Sequence, residues 1–213
     1  MKIGVFDSGK GGTTVLRAIK ELLPDEEYCY IGDSENCPYG EKSDVELMRI
    51  VRGHVENLRE WGAKVIVIAC NTATTRCIEK LRAEYPDLKF VGTEPAIKLA
   101  AETEARKILV MATPGTIASE RTEHLMLENR KNGQEIDLLA CPGLADVIEV
   151  GAGIEEKLAE LLVGVERDYE VVVLGCTHYP LVKDKLQKIF PSAILVDGGE
   201  GVSKQVAKII SSC

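Results

Sequence analysis

The chain has 213 residues, 45% of them hydrophobic and 28% charged, a globular composition with enough apolar surface for one large α/β unit or two small domains. A formal net charge of −8 with no Lys/Arg block makes nucleic acid and anionic membrane poor partners. No stretch reaches the roughly 18 apolar residues of a spanning helix, and the first apolar run is too short for a signal segment, so a cytoplasmic location is expected.

Apolar runs then recur along the chain, each followed by a turn signal and a segment of helical period. Residues 3–6 open the series and lead into the Gly-rich Asp7-Ser8-Gly9-Lys10-Gly11-Gly12. This loop has neither P-loop nor dinucleotide-binding spacing, but its backbone N–H groups are suited to a carboxylate as well as to a tight turn. Residues 28–31 come next, ending at Gly32-Asp33-Ser34, and residues 43–61 read as a helix with Ser43 as N-cap and Glu46 completing a capping box. Residues 65–69 are a nearly continuous β-branched run, the pattern of a strand buried on both faces, and lead into Cys70-Asn71-Thr72. Residues 89–91 precede a helical junction near 97–105. Residues 108–111, 136–140, 171–174 and 194–196 complete the strands, the third leading into Cys176-Thr177-His178. Such alternation predicts a doubly wound α/β architecture with parallel sheets.

The runs also repeat. Ile3-Gly4-Val5 answers Ile108-Leu109-Val110, Cys37-Pro38 answers Cys141-Pro142, residues 65–70 answer 171–176, and Val91-Gly92 answers Val196-Asp197, all about 105 residues apart. The shared register predicts two similar α/β domains related by a pseudo-two-fold: residues 1–97 with 205–213, and residues 98–204. Ligands bind at the carboxyl ends of strands in open α/β sheets, so two such halves are expected to line a cleft with equivalent strand ends.

Seven cysteines, an odd number, read as free thiols, catalytic groups or metal ligands in a reducing compartment. Cys70 and Cys176 stand out because each ends a strand of the repeat and precedes a helix start, where a thiolate is stabilised. Two equivalent bases suit racemisation, which removes an α-proton from one face of a carbon and delivers another to the opposite face. His178 two residues after Cys176 invites a metal, but no Cys-x-x-Cys accompanies it and the other ligand types are scattered, so no metal is expected. His54 and His124, in charged helical stretches, read as solvated surface residues. Glu149 sits in an apolar segment and is equally consistent with a partnered buried carboxylate and with a surface edge. Cys29, Cys77 and Cys213 carry no such setting and read as structural or incidental.

Together these segments resemble the glutamate racemase family, within the aspartate/glutamate racemase superfamily. The match rests on Phe6-Asp7-Ser8-Gly9-x-Gly11-Gly12, Gly32-Asp33 leading to Pro38-Tyr39-Gly40, Ala69-Cys70-Asn71-Thr72-Ala73, Thr116-Ile117-x-Ser119, Cys141-Pro142, Val147-Ile148-Glu149 and Gly175-Cys176-Thr177-His178-Tyr179-Pro180. The resemblance implies two domains, a substrate held between them and no cofactor or metal. It implies Cys70 and Cys176 as the acid/base thiols, with Asp7, and Glu149 together with His178, assisting proton traffic. It further implies that Ser8, Pro38, Tyr39, Gly40, Asn71, Thr72, Thr116 and Thr177 hold the amino group and two carboxylates of glutamate, and that the product D-glutamate serves peptidoglycan. The chain departs from the family in shorter segments between Ser119 and Cys141 and near residues 151–168, in Thr122 where an aromatic is usual, and in the carboxylate of Ser34-Glu35-Asn36-Cys37. An aspartate or other acidic amino-acid racemase and a non-catalytic amino-acid-binding homologue remain alternatives; a homodimer is left open.

Overall fold

A computed structural model of the chain describes residues 1–212. They divide into two compact units, one of Met1–Glu94 with the chain from Gly198 onward, the other of Pro95–Asp197.

The first unit runs β1 (Lys2–Asp7), α1 (Thr13–Leu22), β2 (Glu27–Gly32), α2 (Asp44–Trp61), β3 (Val65–Ile68), α3 (Asn71–Glu84) and β4 (Lys89–Gly92). The second runs α4 (Ile97–Glu102), β5 (Lys107–Ala112), α5 (Pro114–Ile117), α6 (Glu120–Asn129), β6 (Glu135–Ala140), α7 (Leu144–Val150), α8 (Ile154–Leu161), β7 (Val171–Gly175), α9 (Lys183–Ile189) and β8 (Ile194–Val196), and α10 (Gly199–Ile210) belongs to the first unit again. Every apolar run read from the sequence is a strand. The capped helix is present too, with Ser43 Oγ accepting the Glu46 N–H at 3.3 Å.

Both sheets are parallel and have the same order, β2-β1-β3-β4 and β6-β5-β7-β8. Register is fixed by alternation, because successive side chains of a strand leave on opposite faces. Ile3, Val5, Val65 and Val67 pack with Val15 and Ile19 of α1 and with Val202 and Val206 of α10. Phe6, Ile66 and Ile68 pack on the other face with Leu47, Val51, Val55 and Leu58 of α2 and with Cys77 and Leu81 of α3. In the second unit Ile108, Val110, Val171 and Val173 face α4 and α6, while Leu109, Met111, Val172 and Leu174 face α7, α8 and α9. Slipping a strand by one residue would exchange the two layers, so the pairing is strongly specified.

Parallel pairing puts all strand ends of a unit on one edge. Asp7 lies opposite Gly32, and Phe6 opposite Ile68, so Asp7, Asp33 and Cys70 emerge together. Ala112 lies opposite both Ala140 and Gly175, so Thr113, Cys141 and Cys176 do the same. This register corrects one member of the repeat. Cys141 directly follows β6, whereas Cys37 lies in the loop beyond Asp33, so the strand-end counterpart of Cys141 is Asp33 and the two Cys-Pro pairs are not equivalent.

Among the described residues no helix is long and apolar enough to cross a membrane. Leu58 is fully buried between α2 and the sheet. Leu58→Ala is expected to cost about 2–5 kcal/mol, read from the urea unfolding midpoint.

Candidate active site

The first unit builds its site on Asp7, Ser8 and Cys70. Asp7 is fully buried, and its Oδ2 accepts the N–H groups of Gly9 at 3.3 Å and Gly12 at 2.8 Å. The carboxylate thus folds the Gly-rich loop around itself, and those two N–H groups serve Asp7 rather than an external carboxylate. Gly12 is required by this approach: a Cβ there would stand 2.5 Å from the Asp7 Cβ.

Cys70 is the N-cap residue of α3, with its sulfur buried. The helix was expected to lower the thiol pKa, but the balance goes the other way. Burial, with the Asp7 carboxylate adding to it, pushes the Cys70 thiol up to about 12, against the N–H groups of Ala73 and Thr72 and the Ser8 hydroxyl, which favour the thiolate. Cys70 therefore rests as a thiol beside a carboxylate. Asn71 and Thr72 follow it, both buried, and Asn71 Oδ1 has no hydrogen-bond partner among the described residues. Thr93 Oγ1, at the end of the neighbouring β4, is a second such acceptor.

Pro38, Tyr39 and Gly40 form the turn after β2, and the Tyr39 ring is buried. Its hydroxyl donates to Asp33 Oδ2 at 2.7 Å, and Asn36 Nδ2 donates to both Asp33 oxygens at 2.9 and 3.0 Å. His54 Nε2 lies 2.8 Å from Asp33 Oδ2 and 3.1 Å from the Tyr39 hydroxyl. Burial opposes ionisation of Asp33, but the hydrogen bonds from Tyr39, Asn36 and His54 hold its carboxyl below the ordinary value. His54 is therefore not the solvated surface residue expected from its charged neighbours. The signal was present: it stands seven residues after Leu47, three after Val51 and four before Leu58, on the buried stripe of α2. His124 is exposed and pairs with Glu128 at 3.0 Å.

The second unit builds a relay. The strand before it is set by Gly175, where a Cβ would stand 2.9 Å from the Met111 carbonyl oxygen. Cys176 Sγ lies 3.8 Å from His178 Nδ1, and His178 Nε2 lies 2.7 Å from Glu149 Oε2. An ionised carboxylate only accepts, so Nε2 carries a hydrogen, and a neutral His178 presents Nδ1 to the thiol as an acceptor. Glu149, ambiguous in the sequence, is thereby a partnered carboxylate. Thr177 and Thr116 are buried at the same edge. Thr116 Oγ1 accepts from Thr113 at 2.9 Å, and the Ser119 and Thr122 hydroxyls close on the Thr116 carbonyl at 2.8 and 2.7 Å. Thr122, in place of an aromatic, is thus part of the scaffold under Thr116.

Two neighbours lie in motifs quoted from the sequence but were given no role there. Tyr179 is buried with its hydroxyl near the Cys176 and Cys141 sulfurs, without an oxygen or nitrogen partner among the described residues. Burial pushes Cys141 up to about 12. Cys77 is a buried residue of α3, while Cys29 is half-buried in β2 and Cys213 lies outside the described residues. Among the described residues no three of His, Cys, Asp and Glu gather as a metal-holding group.

A family model described as Asp/Glu/Hydantoin racemase matches residues 3–202. The chain belongs to this racemase family. Among its relatives, the glutamate racemase of Clostridium acetobutylicum is 42% identical over 212 residues, covering 97% of this chain and 82% of that one. The crystal structure of Escherichia coli glutamate racemase in complex with L-glutamate and the activator UDP-MurNAc-Ala matches with a TM-score of 0.90 and 33% identity, over 99% of this chain and 82% of that one. Francisella tularensis glutamate racemase in complex with D-glutamate matches with a TM-score of 0.83 and 27% identity, over 99% and 81% of the two chains.

Two outcomes follow from the thiols. Cys70 and Cys141 are held near 12 and Cys77 near 11, all above the ordinary 9.0 of the unfolded chain. Above pH 9 the unfolded chain releases these protons while the folded one keeps them, so stability is lost as pH rises, and the urea midpoint is expected to fall between pH 9 and 11. Asp7→Asn removes the charge that raises Cys70, so iodoacetamide labelling of Cys70 at about pH 8 is expected to quicken at least about threefold, followed by mass spectrometry. An unchanged rate would remove Asp7 from control of the thiol.

Proposed function

We infer that the chain interconverts L- and D-glutamate without a cofactor, using Cys70 and Cys176 as the two acid/base groups. One observation carries this reading. Each unit ends the equivalent central strand, β3 or β7, in a buried cysteine, and each cysteine has its own carboxylate for moving protons. A binding protein has no use for such matched equipment.

In the proposed reaction the Cys176 proton passes to His178 Nδ1, with Glu149 steadying the imidazolium formed. The thiolate takes the α-proton from one face of the substrate, the Cys70 thiol gives its proton to the other face, and exchange with solvent then removes the His178 proton and reprotonates Cys70. The reverse reaction exchanges the roles, with Asp7 as the proton acceptor beside Cys70. The α-proton is very weakly acidic, so hydrogen bonds at the strand ends must stabilise the carbanion-like state. Asn71 Oδ1, buried and without a donor among the described residues, suits the substrate ammonium. Ser8, Thr72, Thr116, Thr177 and the Pro38-Tyr39-Gly40 turn are assigned to the rest of the amino acid. The relatives' names favour glutamate over aspartate as substrate. A cytoplasmic role supplying D-glutamate to peptidoglycan belongs to the same proposal.

The test is solvent exchange. In deuterium oxide the wild-type chain is expected to place deuterium on the α-carbon of both glutamate enantiomers and to exchange aspartate far more slowly. Cys70→Ala and Cys176→Ala should each lose racemisation in both directions by at least about 10²–10⁴-fold, the usual worth of a general acid or base. Robust two-way turnover by either variant would sink the two-thiol scheme.

A further inference from the structure

We propose that His54 is a positioning residue for this reaction, holding the Pro38-Tyr39-Gly40 turn through Asp33 and the Tyr39 hydroxyl. The proposal rests on the assignment of that turn to substrate binding.

The turn is gripped from two sides. On its backbone side Arg76 of α3 donates to the carbonyl of Tyr39 at 3.4 Å and of Lys42 at 2.8 Å, and is itself paired with Asp44 at 2.5 Å. Arg76 stands on the helix whose first turn follows Cys70, so the turn and the thiol share one rigid support. On its side-chain side Tyr39 reaches Asp33, and Asp33 is anchored by its own N–H to the Asp7 carbonyl at 3.0 Å. Asp33 gives the buried Tyr39 hydroxyl one hydrogen bond. His54 adds a second tie, because its Nε2 lies within reach of both the Asp33 oxygen and the Tyr39 hydroxyl.

The donor count decides the tautomer. Tyr39 and Asn36 already donate to Asp33, and a carboxylate offers only lone pairs, so the 2.8 Å contact requires a hydrogen on His54 Nε2. That N–H is charge-assisted by its acceptor and shared with the tyrosine oxygen. The imidazole ring is itself fixed against Phe6, with ring centres 5.7 Å apart, and Phe6 directly precedes Asp7 in β1. Thus the residue expected to be solvated ties α2, β1 and the turn into one network. A histidine that merely filled space on the α2 stripe would need only its ring, whereas this one directs its outer nitrogen at two polar partners.

The two roles separate in three variants. His54→Phe keeps the ring and removes the donor, His54→Gln restores an N–H at a similar reach, and Tyr39→Phe removes the hydroxyl. Loss of a charge-assisted hydrogen bond that serves substrate and transition state alike should raise KM for both glutamate enantiomers about tenfold in His54→Phe, with kcat within about twofold. Tyr39→Phe should do the same, and His54→Gln should return KM to within about threefold of wild type. Independently of activity, hydrogen exchange across residues 39–43, including the Lys42 N–H bonded to the Tyr39 carbonyl, should quicken about tenfold in His54→Phe and be restored in His54→Gln, while α3 is unchanged. A wild-type KM or wild-type exchange in His54→Phe overturns the proposal, as does a His54→Gln no better than His54→Phe. Should the wild-type chain itself fail to racemise glutamate, the functional reading falls, and the exchange rates alone still decide whether His54 holds the turn.

Discussion

In a parallel sheet all strands end on the same edge, and helices begin there. The registers of β1 with β2 and β3, and of β5 with β6 and β7, bring an aspartate pair and a cysteine to one edge and a threonine and two cysteines to the other. Those registers are themselves imposed by two-faced burial, since Ile3, Val5, Val65 and Val67 must face α1 and α10 while Phe6, Ile66 and Ile68 face α2 and α3. The chemistry is thus downstream of apolar packing. A one-residue slip in either central strand would turn its apolar side chains into the wrong layer and shift the strand-end groups together.

At the strand ends the governing contest is between burial and charge. A buried thiol resists ionisation, and at Cys70 the first-turn amides of α3 do not offset the combined effect of burial and Asp7. The two units meet that difficulty with different parts. The first sets a carboxylate near the sulfur, tied down by the loop it folds. The second interposes an imidazole, with His178 between Cys176 and Glu149. Equivalent topology is therefore fitted with inequivalent polar groups beside the two cysteines.

Around these groups the polar side chains mostly hold one another. Thr113, Thr116, Ser119 and Thr122 interlock by hydroxyls and carbonyls, and Asp33, Asn36, Tyr39 and His54 form the corresponding network in the first unit. Buried polar groups are costly unless satisfied, so networks of this kind fix loop geometry more firmly than apolar contact does. Among the described residues the exceptions are Asn71 Oδ1, Thr93 Oγ1 and the Tyr179 hydroxyl.

The sequence by itself determined the strands, the capped helix, the parallel α/β class and the pair of strand-end cysteines, because each is written in local periodicity or in adjacent residues. It also carried the family resemblance, through short motifs at turns. What only the tertiary structure decided depends on long-range approach. The direction of the Cys70 pKa shift needed the depth of burial and the nearness of Asp7, sixty-three positions away in the chain. The pairing of Glu149 with His178 needed α7 beside the segment after β7, and the burial of His54 needed the sheet against which α2 turns its stripe. Composition around His54 is charged, and composition cannot say which face of a helix meets the core; the three-dimensional packing does, since it alone removes water from one side.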